Sequence, residues 1–307
     1  PYTTLFRSGI GDAIPTVLTM TVVPILGAGS SMADYRIGFK WWALIIAVVF
    51  VISELVCVAC VPERPVACDE KPGKISDMFK ALFKNDQAMT VVVSIILVYT
   101  SLNICGNLVL YFFRFDVGNE GAYSIFAAVA FAAQVLVMMV IPLLRKRFSK
   151  SQLFISGFII QIAGFAVILI MAFAKLYTPQ SWYILCLPGI LIYLGYGMLN
   201  VIMTIFLSDS VDYGEVMNGT REESVIFSMQ TFTVKLASGV AVFLAGLVVD
   251  WIHLDTAAAV QTQDTLDALR MWMTIPSVIL LIVGIFVFKR FYKLDDTRME
   301  EIKSKLN

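Results

Sequence analysis

Eight stretches of this sequence are about twenty residues long, strongly apolar and almost free of charge. They fall near 10–27, 39–61, 88–113, 122–144, 152–174, 182–207, 226–249 and 271–289. A helix rises 1.5 Å per residue, so about twenty residues match the roughly 30 Å of a bilayer's hydrocarbon core. In lipid every backbone N–H and C=O must find a partner within its own segment or a closed barrel. None of the eight alternates apolar and polar residues as a barrel strand does. The chain is therefore predicted to be an all-α polytopic membrane protein. Its composition agrees, with 59% hydrophobic and 15% charged residues against about 45–50% and 25% in soluble domains. A net charge of zero implies no nucleic-acid partner.

The loops set the orientation. If the first span starts in the cytoplasm, sixteen Lys and Arg fall on inside loops and five on outside loops; the remaining two are Arg7 and Lys235. Basic residues collect on the cytoplasmic side, so both ends of the chain are expected there. The loop 62–87 is long and polar, and Ile75, Met78, Phe79, Leu82 and Phe83 give its second half the spacing of an amphipathic surface helix. Two spans precede this linker and six follow it. Six helices behind a central linker are half of a carrier built from two six-helix repeats, so four helices are expected to be lacking in front. The divisions read from the sequence are 1–8, a non-native or disordered start; 9–61, the last two helices of a first bundle; 62–87, the linker; 88–290, a second six-helix bundle; and 291–307, a cytoplasmic tail.

Residues 207–235, LSDSVDYGEVMNGTREESVIFSMQTFTVK, depart from the apolar pattern. Lys235 lies ten residues beyond Val225, about 15 Å into its span. A Lys at a helix centre costs about 2.5–3.5 kcal/mol to insert, so it faces a bundle interior or a wet cavity and has a counter-charge. It reads either as a structural ion pair or as part of a substrate and cation cavity, with Gln230 and Thr231 as polar neighbours about one turn earlier. The preceding connector carries Asp209, Asp212, Glu215, Arg221, Glu222 and Glu223. These are either a solvated loop or one side of a cytoplasmic gate, pairing with basic loops such as Arg145–Arg147. Asp209 and Asp212 share a face if the sixth span continues through them.

Taken in order, the Asp-x-x-Asp-Tyr-x-Glu at 209–215, the Arg-x-Glu-Ser at 221–224, the Gln-Thr at 230–231 and Lys235 resemble the signature of the glycoside–pentoside–hexuronide:cation symporters, a major-facilitator branch. The likeness extends more loosely over 9–290, taking in Pro24 and the Asn85-containing linker. It implies helices 5–12 of a major-facilitator fold and symport of a sugar or glycoside with Na⁺ or H⁺ by alternating access. It further implies Lys235, Gln230, Thr231 and Asn200 at the central cavity and Asp209 and Arg221 at the gate, to which the reading of the charged connector adds Asp212, Tyr213, Glu215, Glu223, Arg145 and Arg147. The family's cation-coordinating acids lie in helices that this chain lacks, and its helix-five Arg falls near Arg7, in the doubtful start. No cofactor is implied. The expected setting is a monomer in a bacterial inner membrane.

Other polar residues in the spans give weaker signals. Tyr99, Asn103 and Asn107 recur every fourth residue, which suits a cavity wall or interhelical pairing equally. Gln134 and Gln161 read as interhelical glue, Cys57 and Cys60 as small packing residues, and His253 as a solvated loop residue. Glu54 is expected to reach the interface or the basic linker. The five Trp are expected at outer boundaries as anchors. With its one His in an outer loop and no buried acid pair, the chain does not read as an enzyme. A transporter-derived sensor, or a carrier of a lysolipid or sulfonate, remains as the alternative.

Overall fold

The computed structural model describes residues 18–19, 21–29, 32–60, 83–219, 223–258 and 260–306. The readings that rest on Arg7, Arg221, Glu222 and residues 62–82 of the linker 62–87 lie outside them. Every regular element among the described residues is helical, and seven helices are long and apolar enough to cross a membrane. The chain divides into two compact units, 10–74 and a second formed by 1–9 with 75–307.

In the first unit, residues 18–19 and 21–27 are helical and α1 spans Met32–Cys60. The Trp42 indole donates to the Thr19 hydroxyl at 2.8 Å, and Gly38 lies against the carbonyl of the buried Val23. A side chain at position 38 would push the two helices apart. Glu54, Cys57 and Cys60 are exposed on α1, so the cysteines are not packing residues among what is described.

The second unit is a bundle of α2 (Asp86–Tyr111), α3 (Ala122–Leu144), α4 (Lys150–Phe173), α5 (Cys186–Asn218), α6 (Glu223–Trp251) and α7 (Gln263–Phe291), followed by the short α8 (Asp296–Leu306). Local chemistry sets the starts. Asn85 caps α2 by accepting the Ala88 N–H at 2.9 Å, Ser149 and Gln152 form a reciprocal capping box on α4, and Thr262 caps α7. Gly219, at φ 73°, closes α5 in the left-handed conformation. Helix α5 packs on α3, α4 and α2, while α2 also carries α6 and α7.

Two glycines of α5 allow close helix approach. A Cβ at Gly195 would sit 2.6 Å from the Gly157 carbonyl oxygen, and one at Gly197 2.6 Å from Val137 Cγ1. Helices α4 and α5 therefore meet almost backbone to backbone. Gln161 is buried at this crossing with neither amide atom bonded, and Gln134 Oε1 is likewise unpartnered among the described residues. Gln161 is therefore not interhelical glue among the described residues, because glycine offers it no side-chain partner across the crossing.

Two expectations are corrected. The sixth span does not end near 207: α5 runs to Asn218, carrying Asp209, Asp212, Tyr213 and Glu215 as helix rather than connector. The last span begins at Gln263, so Arg270 is a buried helix residue and not part of an outer loop. The tail is helical from Asp296 and packs Leu294, Met299 and Ile302 against Tyr213, Val216 and Tyr292.

Candidate functional site

Helix α6 has two faces. Ile226, Met229, Thr233, Ala237, Ala241, Ala245 and Val248 are buried at helical spacing, and α2 is the helix they chiefly meet. Lys235 is exposed on the other side, along with Ser228, Thr231 and Gly239. At about 100° per residue, Thr231 stands about 40° from Lys235 and Gln230 about 140°. Gln230 is accordingly half-buried, and its place on the lysine's stripe is weaker than sequence proximity implied. The Lys235 ammonium forms no hydrogen bond or ion pair with a described residue.

A second polar group lies where α2 meets α5. Asn200 Nδ2 donates to the Tyr99 hydroxyl at 2.9 Å and to the Tyr196 hydroxyl at 3.3 Å, and the two tyrosine rings meet edge to face at 5.5 Å. Tyr196 was not picked out in the sequence, although it stands one turn before Asn200. Asn103 and Asn107 pair between helices no more than Gln161 does. Each donates to the carbonyl four residues back, Tyr99 and Asn103 respectively, at 2.7 Å. Asn107 also lines a cleft of about 550 Å³ with Tyr111, Phe243, Gly246 and Asp250. Tyr99, Asn200 and Lys235 each fall within one turn of the middle of their helices, which puts their polar groups at similar depth.

The acidic end of α5 is built differently from the expected gate. Asp209 is 4% exposed and pairs with Lys150, itself 5% exposed, in the first turn of α4. It does not pair with Arg145 or Arg147. Arg145 reaches Asp296 of α8 at 3.4 Å, and Lys150 shares that carboxylate at 3.4 Å; Arg147 is exposed outside this cluster. The reason is placement: Arg145 and Arg147 lie in the turn beyond α3, whereas Lys150 is the first residue of α4, the helix packed closely on α5. Asp212, Glu215 and Glu223 hold other interactions. Phe154, Phe206, Phe288 and Tyr292 form an aromatic cluster with ring centroids 4.4–5.2 Å apart. Burial, with the charges of Asp209 and Asp296 added, pushes the Tyr292 phenol well above its usual range.

Burial works against ionisation of Asp296, but Lys150 and Arg145 outweigh it and hold its carboxyl below the usual range. A carboxyl depressed in the folded state contributes stability above its unfolded value, near 3.9, and loses it as pH falls through the lower folded value. Docking of α8 is therefore expected to be unchanged from about pH 8 to about pH 5 and to weaken only in stronger acid. Asp296→Asn removes the charge at every pH, so amide exchange over 296–306 should quicken at pH 7. Equal protection in the variant would mean that the apolar contacts alone hold the tail.

This chain matches the model of a family described as MFS/sugar transport protein over residues 4–296. It belongs to that family. Among similar curated proteins are the raffinose carrier protein of Pediococcus pentosaceus, 24% identical over 97% of this chain and 46% of its own length, and the isoprimeverose transporter of Lactiplantibacillus pentosus, 25% identical over 94% and 59%. A putative sulfoquinovose importer of Escherichia coli strain K12 is 22% identical over 98% and 63%. The chain thus spans about half to three-fifths of the relatives' lengths. The relatives are transporters and not enzymes, and the seven helices among the described residues that are long and apolar enough to cross a membrane make this family member a membrane protein.

Proposed function

We propose that this chain forms part of a symporter that carries a sugar or glycoside together with Na⁺ or H⁺ by alternating access. The observation that supports this best is Lys235, an ammonium exposed at mid-span on a helix otherwise fit for lipid. Its insertion cost is tolerable where the charge faces a polar path and meets a counter-charge there. Thr231 beside it, and the hydroxyls and amide of Tyr99, Tyr196 and Asn200 at similar depth, have the chemistry that hydroxyl-rich solutes need. Substrate and cation together neutralise the path, and the two bundles then rock around it. The Lys150–Asp209 pair holds α4 and α5 together at the other end, so that the second bundle moves as one body. On this reading both ends of the chain face the cytoplasm, the protein works as a monomer in a bacterial inner membrane, and most of the cation site lies in helices outside this sequence. The names of the relatives support a sugar substrate.

The test is uptake into vesicles by the intact transporter, with a panel of labelled glycosides, pentosides and one sulfonated sugar. Each is presented with a Na⁺ gradient, a proton gradient or neither. Accumulation of at least one sugar that requires one gradient is expected. Equilibration without accumulation under both gradients would overturn symport, and no entry of any sugar would favour the sensor reading.

A further inference from the structure

Where α2 begins and α7 ends, one buried amide ties the two helices. Gln87, 1% exposed, accepts the Lys293 N–H at 2.8 Å and donates to the Phe291 carbonyl at 3.4 Å. This clamp fixes the chain as it leaves α7, and with it the positions from which Arg290 and Lys293 project. Beside it lies a cleft of about 570 Å³. Its lining includes the apolar Met89, Val93 and Val287 and the charged Asp86, Arg290 and Lys293. The Asp86 carboxylate is engaged by the Gln87 amide at 2.8 Å. Neither Arg290 nor Lys293 forms an ion pair with a described residue, and the Arg290 guanidinium lies 5.7 Å from the Phe291 ring centre.

We propose that this cleft binds an anionic phospholipid, with its phosphate between Arg290 and Lys293 and an acyl chain along Met89, Val93 and Val287. Two features favour a lipid over a soluble anion. The wall from Asp86 to Val93 follows seven residues of α2, about 10 Å along the helix, which is the depth of the boundary between headgroups and chains. A free phosphate would leave that wall uncovered, whereas basic pockets between spanning helices suit anionic headgroups. The guanidinium supplies a fork of donors to phosphate oxygens, and the ammonium adds a point charge. The bound lipid would join the two helices whose ends Gln87 already holds. This reading stands apart from what the protein transports.

The test is native mass spectrometry of the full chain, stripped of lipid in detergent and titrated with phosphatidylglycerol, phosphatidylcholine or glycerol phosphate. One phosphatidylglycerol should be retained per chain at about thirtyfold lower concentration than phosphatidylcholine, since two basic groups contribute about 1 kcal/mol each. Arg290→Gln with Lys293→Gln should erase that preference, while Lys146→Gln with Arg147→Gln should keep it. Val93→Trp, which fills the wall and leaves the charges, should also reduce retention. Equal retention of both lipids by the unaltered chain would overturn the site. So would an unchanged preference in both cleft variants, and glycerol phosphate retained as tightly as the lipid would transfer the site to a soluble anion.

Discussion

Lys235→Gln in the intact transporter is expected to cut gradient-driven sugar accumulation by about a hundredfold or more while leaving the amount of protein in the membrane unchanged. The size follows from what the ammonium does. A charge that meets its partner in a poorly solvated site is worth about 3 kcal/mol or more when one member is removed, and each 1.36 kcal/mol is tenfold in rate. The direction on insertion is the opposite. An exposed Lys in mid-span costs about 2.5–3.5 kcal/mol, so the variant should enter the membrane at least as readily. Loss of transport with normal or raised expression therefore separates a role in the path from a role in folding. Lys235→Arg should fall between the two, because charge is kept but the compact ammonium is replaced by a broad fork. Unimpaired accumulation by Lys235→Gln would remove the residue from the path, and with it the observation on which the proposed function chiefly rests.

The sequence announces Lys235 because a charge in an apolar span is costly wherever the helix sits, and that argument needs no tertiary contact. The helices were legible for the same reason: solvent and lipid set their lengths. Partners were not legible. Asp209 was visible as an acid near a helix end, but its partner Lys150 is 59 residues away and is chosen by how α4 lies on α5. Nothing in the spacing of Arg145, Arg147 and Lys150 ranks the three. Asp296 was hidden in the tail, whose docking shows only where Leu294, Met299 and Ile302 pack on α5. Gln161 misled in the other direction: an amide in a span suggests a bond across helices, yet it lies at a crossing made close by glycine. The end of α5 and the start of α7 were misplaced because the turns there carry charged residues held in polar contacts, which hydropathy along the chain does not register.

Asp116→Asn is expected to destabilise the bundle by about 3–5 kcal/mol, the cost of leaving a buried charge without its main partner. Asp116 ends a π-helical turn, Phe112–Asp116, that follows α2, and its carboxylate takes both Arg270 Nη2 at 2.5 Å and Nε at 2.9 Å. Both side chains are 3% exposed. The Tyr177 hydroxyl donates to the same carboxylate at 2.5 Å; burial, reinforced by the bond to Asp116, pushes that phenol far above its usual range and keeps it protonated. Arg270 also holds Asp267 at 2.7 Å, but that carboxylate is 35% exposed and one turn away on the same helix, so it cannot replace a link to α2. One carboxylate thus joins the ends of two spanning helices and the loop that carries Tyr177. The variant should lose its folded state on heating at a clearly lower temperature than the parent in the same detergent. Arg270→Leu alone should do the same by stranding Asp116. Combining Asp116→Leu with Arg270→Leu should recover much of the loss, since an apolar pair of similar volume pays no desolvation. If the double variant is as unstable as the sum of the single ones, the two residues act independently and the network does not hold the helix ends together. If all three match the parent, the cluster contributes no net stability.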